Sequence, residues 1–366
     1  MKRKITKVPR WAALLLASGL LVFSGCGENT ETFDQASQDL EQGNYSYALS
    51  GFQQCIDDGL YPARSYRGAG LSCLRQGEYE DAIDYFTGAL GCDKVEDKLR
   101  KDILLYRASA YMKSGDYANA MADCQTLAQD FDKDADICFL TGSIALAMDG
   151  YEEAAREFDQ AFAASSDYDT AIRIYQQYIQ RGMEADGTRY LEASLEATPK
   201  TAEDHCERGR IYYFMEDYNK AASELIEALN QDSTEARLLL GMVYLAQHDV
   251  GNARAMYQDY LAQDGSPGRG YNGLALCDLE ENNYDEALSN ITKGIQGATT
   301  EEMQSLLYNE IVVYERKLDF ETAREKAEEY TAMFPEDTGV KREKAFLESR
   351  TGSGQEEEIT EDGIQE

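Results

Sequence analysis

Residues able to carry covalent chemistry are few in this chain and poorly placed for it. The two histidines, His205 and His248, stand 43 positions apart, so neither offers a nearby serine or cysteine a base by local spacing. GRGYNG at 268–273 has the spacing of a dinucleotide loop, but such a loop must lie between a strand and a helix. Here it follows Gly265 and Pro267 in a linker between helical segments. DKDADI, with acids at 132, 134 and 136, begins like a calcium loop but lacks the Gly at its sixth place and the Glu at its twelfth; it reads as a solvated turn. Acids number 68 against 35 Lys and Arg, so two neighbouring carboxylates carry no signal for acid–base catalysis. The net charge of −33 also argues against nucleic acid, which is held by dense Lys and Arg. The expectation is a chain that is not an enzyme and needs neither metal nor cofactor.

Seven cysteines, Cys55, Cys73, Cys92, Cys124, Cys138, Cys206 and Cys277, are scattered without a CxxC pair. That pattern is a poor disulfide framework and a poor zinc site. They are expected to be small buried apolar residues, with no disulfide.

The eighth cysteine belongs to a different feature. MKRKITKVPR holds five cations and no acid, WAALLLASGLLVF is a short apolar run, and SGC closes the pattern. This is the layout of a secretory signal, too short to span a membrane comfortably. LVFSGC resembles the bacterial lipobox, with Phe23 where Leu is usual. The resemblance implies cleavage after residue 25 and lipidation of Cys26, which anchors the protein on the outer face of a cell membrane. Losing the five signal cations would take the charge from −33 to −38, and losing Trp11 would remove the only tryptophan.

The elements that would have to position any site are helices, and they repeat. In GEYEDAIDYFTGAL, Ala82, Phe86 and Ala89 form one stripe of a 3.6-residue period; Gly77, with Glu78 and Glu80 after it, reads as the start of that helix. Aligned on Ala82, the chain returns GNYSYALSGF, GDYANAMADC, DGYEEAAREF, EDYNKAASEL, HDVGNARAMY, NNYDEALSNI and LDFETAREKA, with a degenerate copy GMEADGTRYL at Gly187. Most steps are 33 or 34 residues. Twelve positions before each Ala stands a small residue such as Gly70, Ala108, Gly142, Gly209, Gly241 or Ala275, often with a Tyr three further on. Only 5 prolines interrupt the chain, as suits helices, and 43% hydrophobic residues suffice for a core. Such a period is the signature of a stacked array.

These motifs resemble the tetratricopeptide repeat (TPR) family. The resemblance implies an all-α fold: a right-handed superhelical solenoid of about nine helix hairpins over 33–336, with a C-terminal capping helix at 337–350. Residues 1–25 would be the signal and 26–32 the lipidated N-terminus with its tether. The acid-rich stretch 351–366 would be a disordered tail. The degenerate fifth copy, and QDGSPGRG between the seventh and eighth, are expected to bend or loosen the array.

In this family ligands commonly lie along a groove made by the first helices. Projected onto this sequence, the groove positions include Arg64, Arg67, Leu71, Arg75, Leu105, Phe139, Arg210 and Tyr213. The Lys/Asn/Arg set with which co-chaperone members clamp a terminal carboxylate is not matched. Two readings of the arginine patch stay open: it receives acidic residues of a peptide, or it neutralises Glu78, Glu80 and Asp81. The function expected is a non-enzymatic, lipid-anchored scaffold for a protein or extended peptide. Alternatives are a pilotin-like assembly factor of the envelope, or the ligand-capturing subunit of an uptake system.

Overall fold

The computed structural model describes residues 28–334 and 337–351, and within them it consists of nineteen helices and no strand. Nine hairpins follow one another. The first four are α1 (Glu28–Glu41) with α2 (Tyr45–Asp57), α3 (Pro62–Gln76) with α4 (Tyr79–Leu90), α5 (Asp97–Ser114) with α6 (Tyr117–Asp130), and α7 (Ala135–Ala147) with α8 (Tyr151–Ser165). The next three are α9 (Tyr168–Ile179) with α10 (Glu184–Ser194), α11 (Ala202–Phe214) with α12 (Tyr218–Leu229), and α13 (Thr234–Ala246) with α14 (Val250–Ala262). The last two are α15 (Pro267–Glu280) with α16 (Tyr284–Ile295) and α17 (Thr300–Arg316) with α18 (Phe320–Met333); a single helix, α19 (Thr338–Arg350), ends the array. The signal segment, Cys26, Pro335 and the acidic stretch after Thr351 lie outside the described residues. Among the described residues no helix is long and apolar enough to cross a membrane.

Each hairpin turns on one residue of positive φ, two places before its second helix. Gly43, Gly77, Gly115 and Gly182 take this conformation at φ 68 to 86°, and Asp149, Glu216, His248, Asn282 and Leu318 take it at 58 to 61°. Gly77 therefore closes α3 with a left-handed cap, φ 78°, and does not open α4, whose N-cap is Glu78. A residue without Cβ ends a helix this way at no steric cost. The next position is often Asp, whose side chain accepts an N–H of the first turn: Asp116 takes that of Asn119 at 3.1 Å, and Asp217 that of Lys220 at 3.2 Å.

The core follows from the paired small and large positions. The small residue of the first helix faces the large one sixteen places on. A Cβ on Gly70 would stand 2.7 Å from the Phe86 ring, one on Gly142 2.8 Å from Phe158, and one on Gly241 2.7 Å from Tyr257. Glycine there lets the two helices approach until the ring lies against backbone. The repeated Ala of the second helix, Ala48, Ala82, Ala120, Ala154, Ala221, Ala253, Ala287 and Ala323, is fully buried in every copy that has it.

The fifth hairpin is not loosened. Tyr175, Tyr178, Tyr190 and Leu191 are buried there, in one cluster with Phe158. The Tyr190 ring packs edge-on to Phe162 and stacks on Tyr178. Gly187 is required where Ala was missing, because a Cβ there would lie 3.0 Å from the Tyr175 backbone. The polar stretch DKVEDKLRKD, 93–102, which adds four residues to the step before Ala120, runs into α5, a helix of 18 residues, and in QDGSPGRG Pro267 is the first residue of α15. Each first helix also touches the next first helix, from α1 to α17 without a break. These eight contacts line the inside of the solenoid. After a full turn its two ends meet: Thr300 Oγ1, at the start of α17, donates to the Gly43 carbonyl at 3.1 Å.

Candidate functional site

The residues suited to chemistry are occupied structurally. His205 Nδ1 meets Glu224 Oε2 at 2.7 Å, and Arg208 Nε donates to the other oxygen of Glu224, also at 2.7 Å. Cys206, its neighbour in sequence, points elsewhere, with Sγ 3.5 Å from the Ser233 hydroxyl. His248 is the exposed turn residue of the seventh hairpin and pairs with Glu280 at 2.8 Å. All seven cysteines among the described residues are free thiols, and all but Cys92 are buried. Burial pushes the thiol of Cys73 up to about 12 and those of Cys124 and Cys277 to about 11, so the nucleophilic thiolate is suppressed.

GRGYNG lies inside α15, where its glycines make room for packing. A Cβ on Gly273 would press 2.4 Å from the Tyr257 ring, and one on Gly270 2.5 Å from Leu261. In DKDADI, Asp134 caps α7 by accepting the Ile137 N–H at 3.2 Å and pairs with Lys101. Lys101, with those N–H donors, holds the Asp134 carboxyl below its usual range against the opposing effect of burial.

What remains is the inner surface. One cavity of about 380 Å³ opens between α5, α7 and α9, with Leu105, Met112, Phe139 and Leu140 forming its apolar part. Another, of about 340 Å³, lies between α11, α13 and α15 over Tyr213, Phe214, Leu239 and Met242. Met242 and Arg269 connect it to a third of about 530 Å³ that reaches α17 past Asn272 and Leu276. A strip of apolar hollows thus follows the line of first helices, each rimmed by an arginine.

Those arginines already have partners. Arg67 pairs with Asp102 of α5 and lies over the Tyr106 ring at 5.5 Å. Arg173 stands 4.1 Å from the centre of the Phe139 ring and 3.5 Å from Asp136. Arg210 donates to Glu207, and Arg269 reaches Glu235 of α13 with both terminal nitrogens, at 2.9 and 2.6 Å. The last two pairs frame one cavity from adjacent helices, bidentate geometry fixing the guanidinium of Arg269.

Of the residues expected on the groove, Leu105, Phe139, Arg210 and Tyr213 line these hollows. Leu71 does not: it is buried in the core with Cys73 and Phe86. It stands one place after Gly70, as Ser109, Arg210 and Met242 stand one place after their own small residues, but in α3 this side chain is packed into the core at 8% exposure. The arginine patch is divided. Arg64 and Arg67 share a hollow with Phe33 and Leu40 of the first hairpin, whereas Arg75 lines one with Lys113, Phe334 and Asp337. The acid that Arg67 takes is Asp102, not Glu78, Glu80 or Asp81. Two features escaped sequence reasoning, the Arg269–Glu235 clamp and the hollow between α3, α5 and the end of α18. The first joins α13 to α15 across one intervening helix, and the second joins the second hairpin to the ninth.

The human mitochondrial import receptor subunit TOM70 (Homo sapiens) is 21% identical over 75% of this chain and 47% of its own length. The Hsp70-Hsp90 organizing protein of wheat (Triticum aestivum) is 23% identical over 46% of this chain and 29% of its own. The chain therefore spans less than half of either relative. Among solved structures, a tetratricopeptide repeat protein from Parabacteroides merdae aligns with 68% of this chain and 98% of its own at 17% identity and a TM-score of 0.41. Yeast Tom70 aligns with 89% of each chain at 12% identity and a TM-score of 0.39. Models of the tetratricopeptide repeat match residues 33–97, 102–134, 206–269 and 238–301, together more than half of the chain. With nine helix hairpins in phase and repeat models over that length, the chain belongs to the tetratricopeptide repeat family.

Proposed function

We propose that this protein is a non-catalytic scaffold that holds an extended segment of another protein along its inner surface, displayed on the outer face of a bacterial membrane through a lipidated Cys26. The observation that supports it most is the unbroken line of first helices, with the hollows at Phe139, Tyr213 and Met242 spaced along it. An extended segment could place a side chain in each, and several moderate contacts then add along one chain. Because Arg67, Arg173, Arg210 and Arg269 already bind carboxylates, apolar side chains of the partner supply most of the hold. Acidic residues contribute by exchanging into existing pairs. TOM70 and the Hsp70-Hsp90 organizing protein, by name a receptor and an organizer of other proteins, are consistent with this reading. The basic, apolar and SGC segments before residue 27 support the anchor.

The test is site-specific photocrosslinking in cells. A crosslinker at Ser109 or Met242, on the inner surface, is expected to capture a distinct protein that one at Glu152, exposed on α8, does not. The same products from both faces would remove the groove. For the anchor, Cys26→Ser is expected to move the protein from the detergent phase to the aqueous phase. A wild-type protein that still shows tryptophan fluorescence has kept Trp11 and was not cleaved.

A further inference from the structure

Among the described residues the array closes on a single helix, α19, with no second helix paired to it. In the hairpins, the small residue of the first helix lies against its own second helix, and Ala108 and Ala275 are fully buried there. The 34-residue step from Leu318 falls on Gly352, so α19 has the register of a tenth first helix, and Ala345 takes the small position. Val340 and Leu347 are buried against Ile311 and Tyr330 of the ninth hairpin. Ala345 itself is exposed, and Arg342, Phe346, Ser349 and Arg350 are exposed with it. These residues recur at three- and four-residue spacing, one continuous stripe of the helix.

Continued in the register of the motif, the sequence after Thr351 brings carboxylates to positions that earlier copies bury. The step that places Ala323 in α18 places Glu357 at the buried Ala position, and Glu361 where Phe86 and Phe158 stand in earlier copies. Two carboxylates at the tightest contacts of the motif cannot be buried without partners.

The stripe also differs in charge from its surroundings. In a chain of net charge −33, α19 contains Lys341, Arg342, Lys344 and Arg350 against Glu343 and Glu348. Lys341, Arg342 and Arg350 are exposed; neither acid is in that class. Lys344 is the one cation of the four with a carboxylate partner among the described residues, Glu348. The Arg350 guanidinium lies over the Phe346 ring at 5.1 Å, so the most exposed aromatic of the helix has an arginine on its face and another one turn before it.

We propose that the outer face of α19 is a docking site for an acidic amphipathic helix of another protein, seated where the second helix of a tenth hairpin would lie. Its apolar stripe covers Ala345 and Phe346, and its flanking carboxylates meet Lys341, Arg342 and Arg350. A second copy of this chain is a poor occupant, because its amphipathic second helices already bury their Ala stripe in their own hairpins. This site is separate from the inner groove, and neither reading depends on the other.

The experiment uses the full chain and a labelled synthetic helix of about four turns, with Leu and Ala on one face and Glu on the other, followed by fluorescence anisotropy. A counterpart carrying Lys in place of Glu is the control. The acidic helix is expected to bind in the micromolar range, at least tenfold more weakly to the Arg342→Glu/Arg350→Glu double variant, and equally well to the groove variant Arg210→Glu. All three positions are at least partly exposed, so unchanged far-UV circular dichroism verifies the fold. Equal binding of the Lys helix, or binding indifferent to the double variant, overturns the proposal. So does binding that appears only once residues 352–366 are removed, since the chain's own tail is then the occupant. A dimer in sedimentation that Phe346→Ala abolishes would make the occupant a second copy, and capture by phosphatidylglycerol vesicles in place of the acidic helix would make it a membrane.

Discussion

The contact between the two ends of the array can be isolated with a pair of glycines. Gly43 and Gly115 occupy the same turn position, at φ 80° and 86°. A Cβ on Gly115 meets nothing within 4 Å, so Gly115→Ala measures the backbone term alone, about 1 kcal/mol for an alanine in left-handed conformation. A Cβ on Gly43 would stand 2.6 Å from Thr300 Oγ1 and 3.2 Å from Thr300 Cβ. Thr300 must then swing away, and its hydrogen bond to the Gly43 carbonyl goes with it. A part-buried neutral hydrogen bond contributes about 1 kcal/mol, so Gly43→Ala is expected to cost about 2 kcal/mol.

Repeat arrays open from their ends in pieces, so a single unfolding midpoint is the wrong measure. Amide exchange of α1 and α2 reports the local opening free energy, read at the corresponding helices α5 and α6 for Gly115→Ala. The double variant with Thr300→Ala completes the cycle. If the ends touch, the cost of Gly43→Ala falls to that of Gly115→Ala once Thr300 is cut back, a coupling of about 1 kcal/mol. Equal costs for the two single glycine variants, or strict additivity in the cycle, would refute the closure.

The reverse substitution is favourable elsewhere: Leu318 is 74% exposed at φ 61°, and Leu318→Gly should stabilise the last hairpin by about 0.5 kcal/mol, the relieved strain exceeding the added freedom of the unfolded chain, as read by amide exchange of the helices beside the substitution. Gly142→Ala, which drives a methyl to 2.8 Å from the Phe158 ring, should instead destabilise by about 1–3 kcal/mol in the same assay. Glu315, with Oε1 buried and unpartnered, has its carboxyl pushed up to about 7, first by burial and then by Glu343 of α19. A raised carboxyl contributes stability that is complete below its unfolded value near 4.5 and lost as pH rises through about 7; α19 should therefore exchange its amides faster above pH about 7, and Glu315→Gln should remove that dependence. Cys92 is the one described cysteine that is not buried, so a thiol reagent should label it first in the native protein, and equal rates at all seven would contradict the packing.

Most of the fold was legible because its contacts are local in the repeat. Ala82 and Phe86 name the buried stripe of a second helix, and Gly70, twelve residues upstream, names the surface that stripe meets. Both lie within one period, so counting finds them. Gly77 was misassigned because a glycine at a helix junction serves equally as an end or a start on composition; φ decides, and sequence does not contain it. The degenerate fifth copy misled for a related reason. Gly187 without Ala looks like lost packing, whereas Tyr175 and Tyr190 have taken the volume. In the groove, helical projection put Phe139 and Tyr213 near the inside, where they line hollows; Leu71 has the register of Arg210 and Met242, but its side chain packs with Cys73 and Phe86, a local choice that the repeat position does not encode. Contacts between different periods, such as Arg67 with Asp102 or Gly43 with Thr300, have no local signature at all.

The pairing of the inner arginines decides what kind of selectivity the groove can have. Arg64, Arg67, Lys113, Arg173, Arg210 and Arg269 line its hollows, against Glu41, Asp102, Asp136, Glu235 and Glu302. The lining is near electrical balance in a chain that carries almost two acids for each base, so the acidic excess lies on the outer faces. At physiological ionic strength that excess is screened beyond about 8 Å, and a segment already inside the groove feels mainly the local pairs. At Arg67 and Arg269 an incoming carboxylate must displace Asp102 or Glu235, exchanging one ion pair for another with little net gain. An apolar side chain entering beside Phe139 or Met242 displaces only water. Selectivity along this surface is therefore expected to follow the shape and spacing of apolar residues in the partner, with weak dependence of the dissociation rate on salt. A partner whose dissociation accelerated steeply with salt would place the recognition on exposed charges elsewhere, such as Lys341, Arg342 and Arg350 of α19.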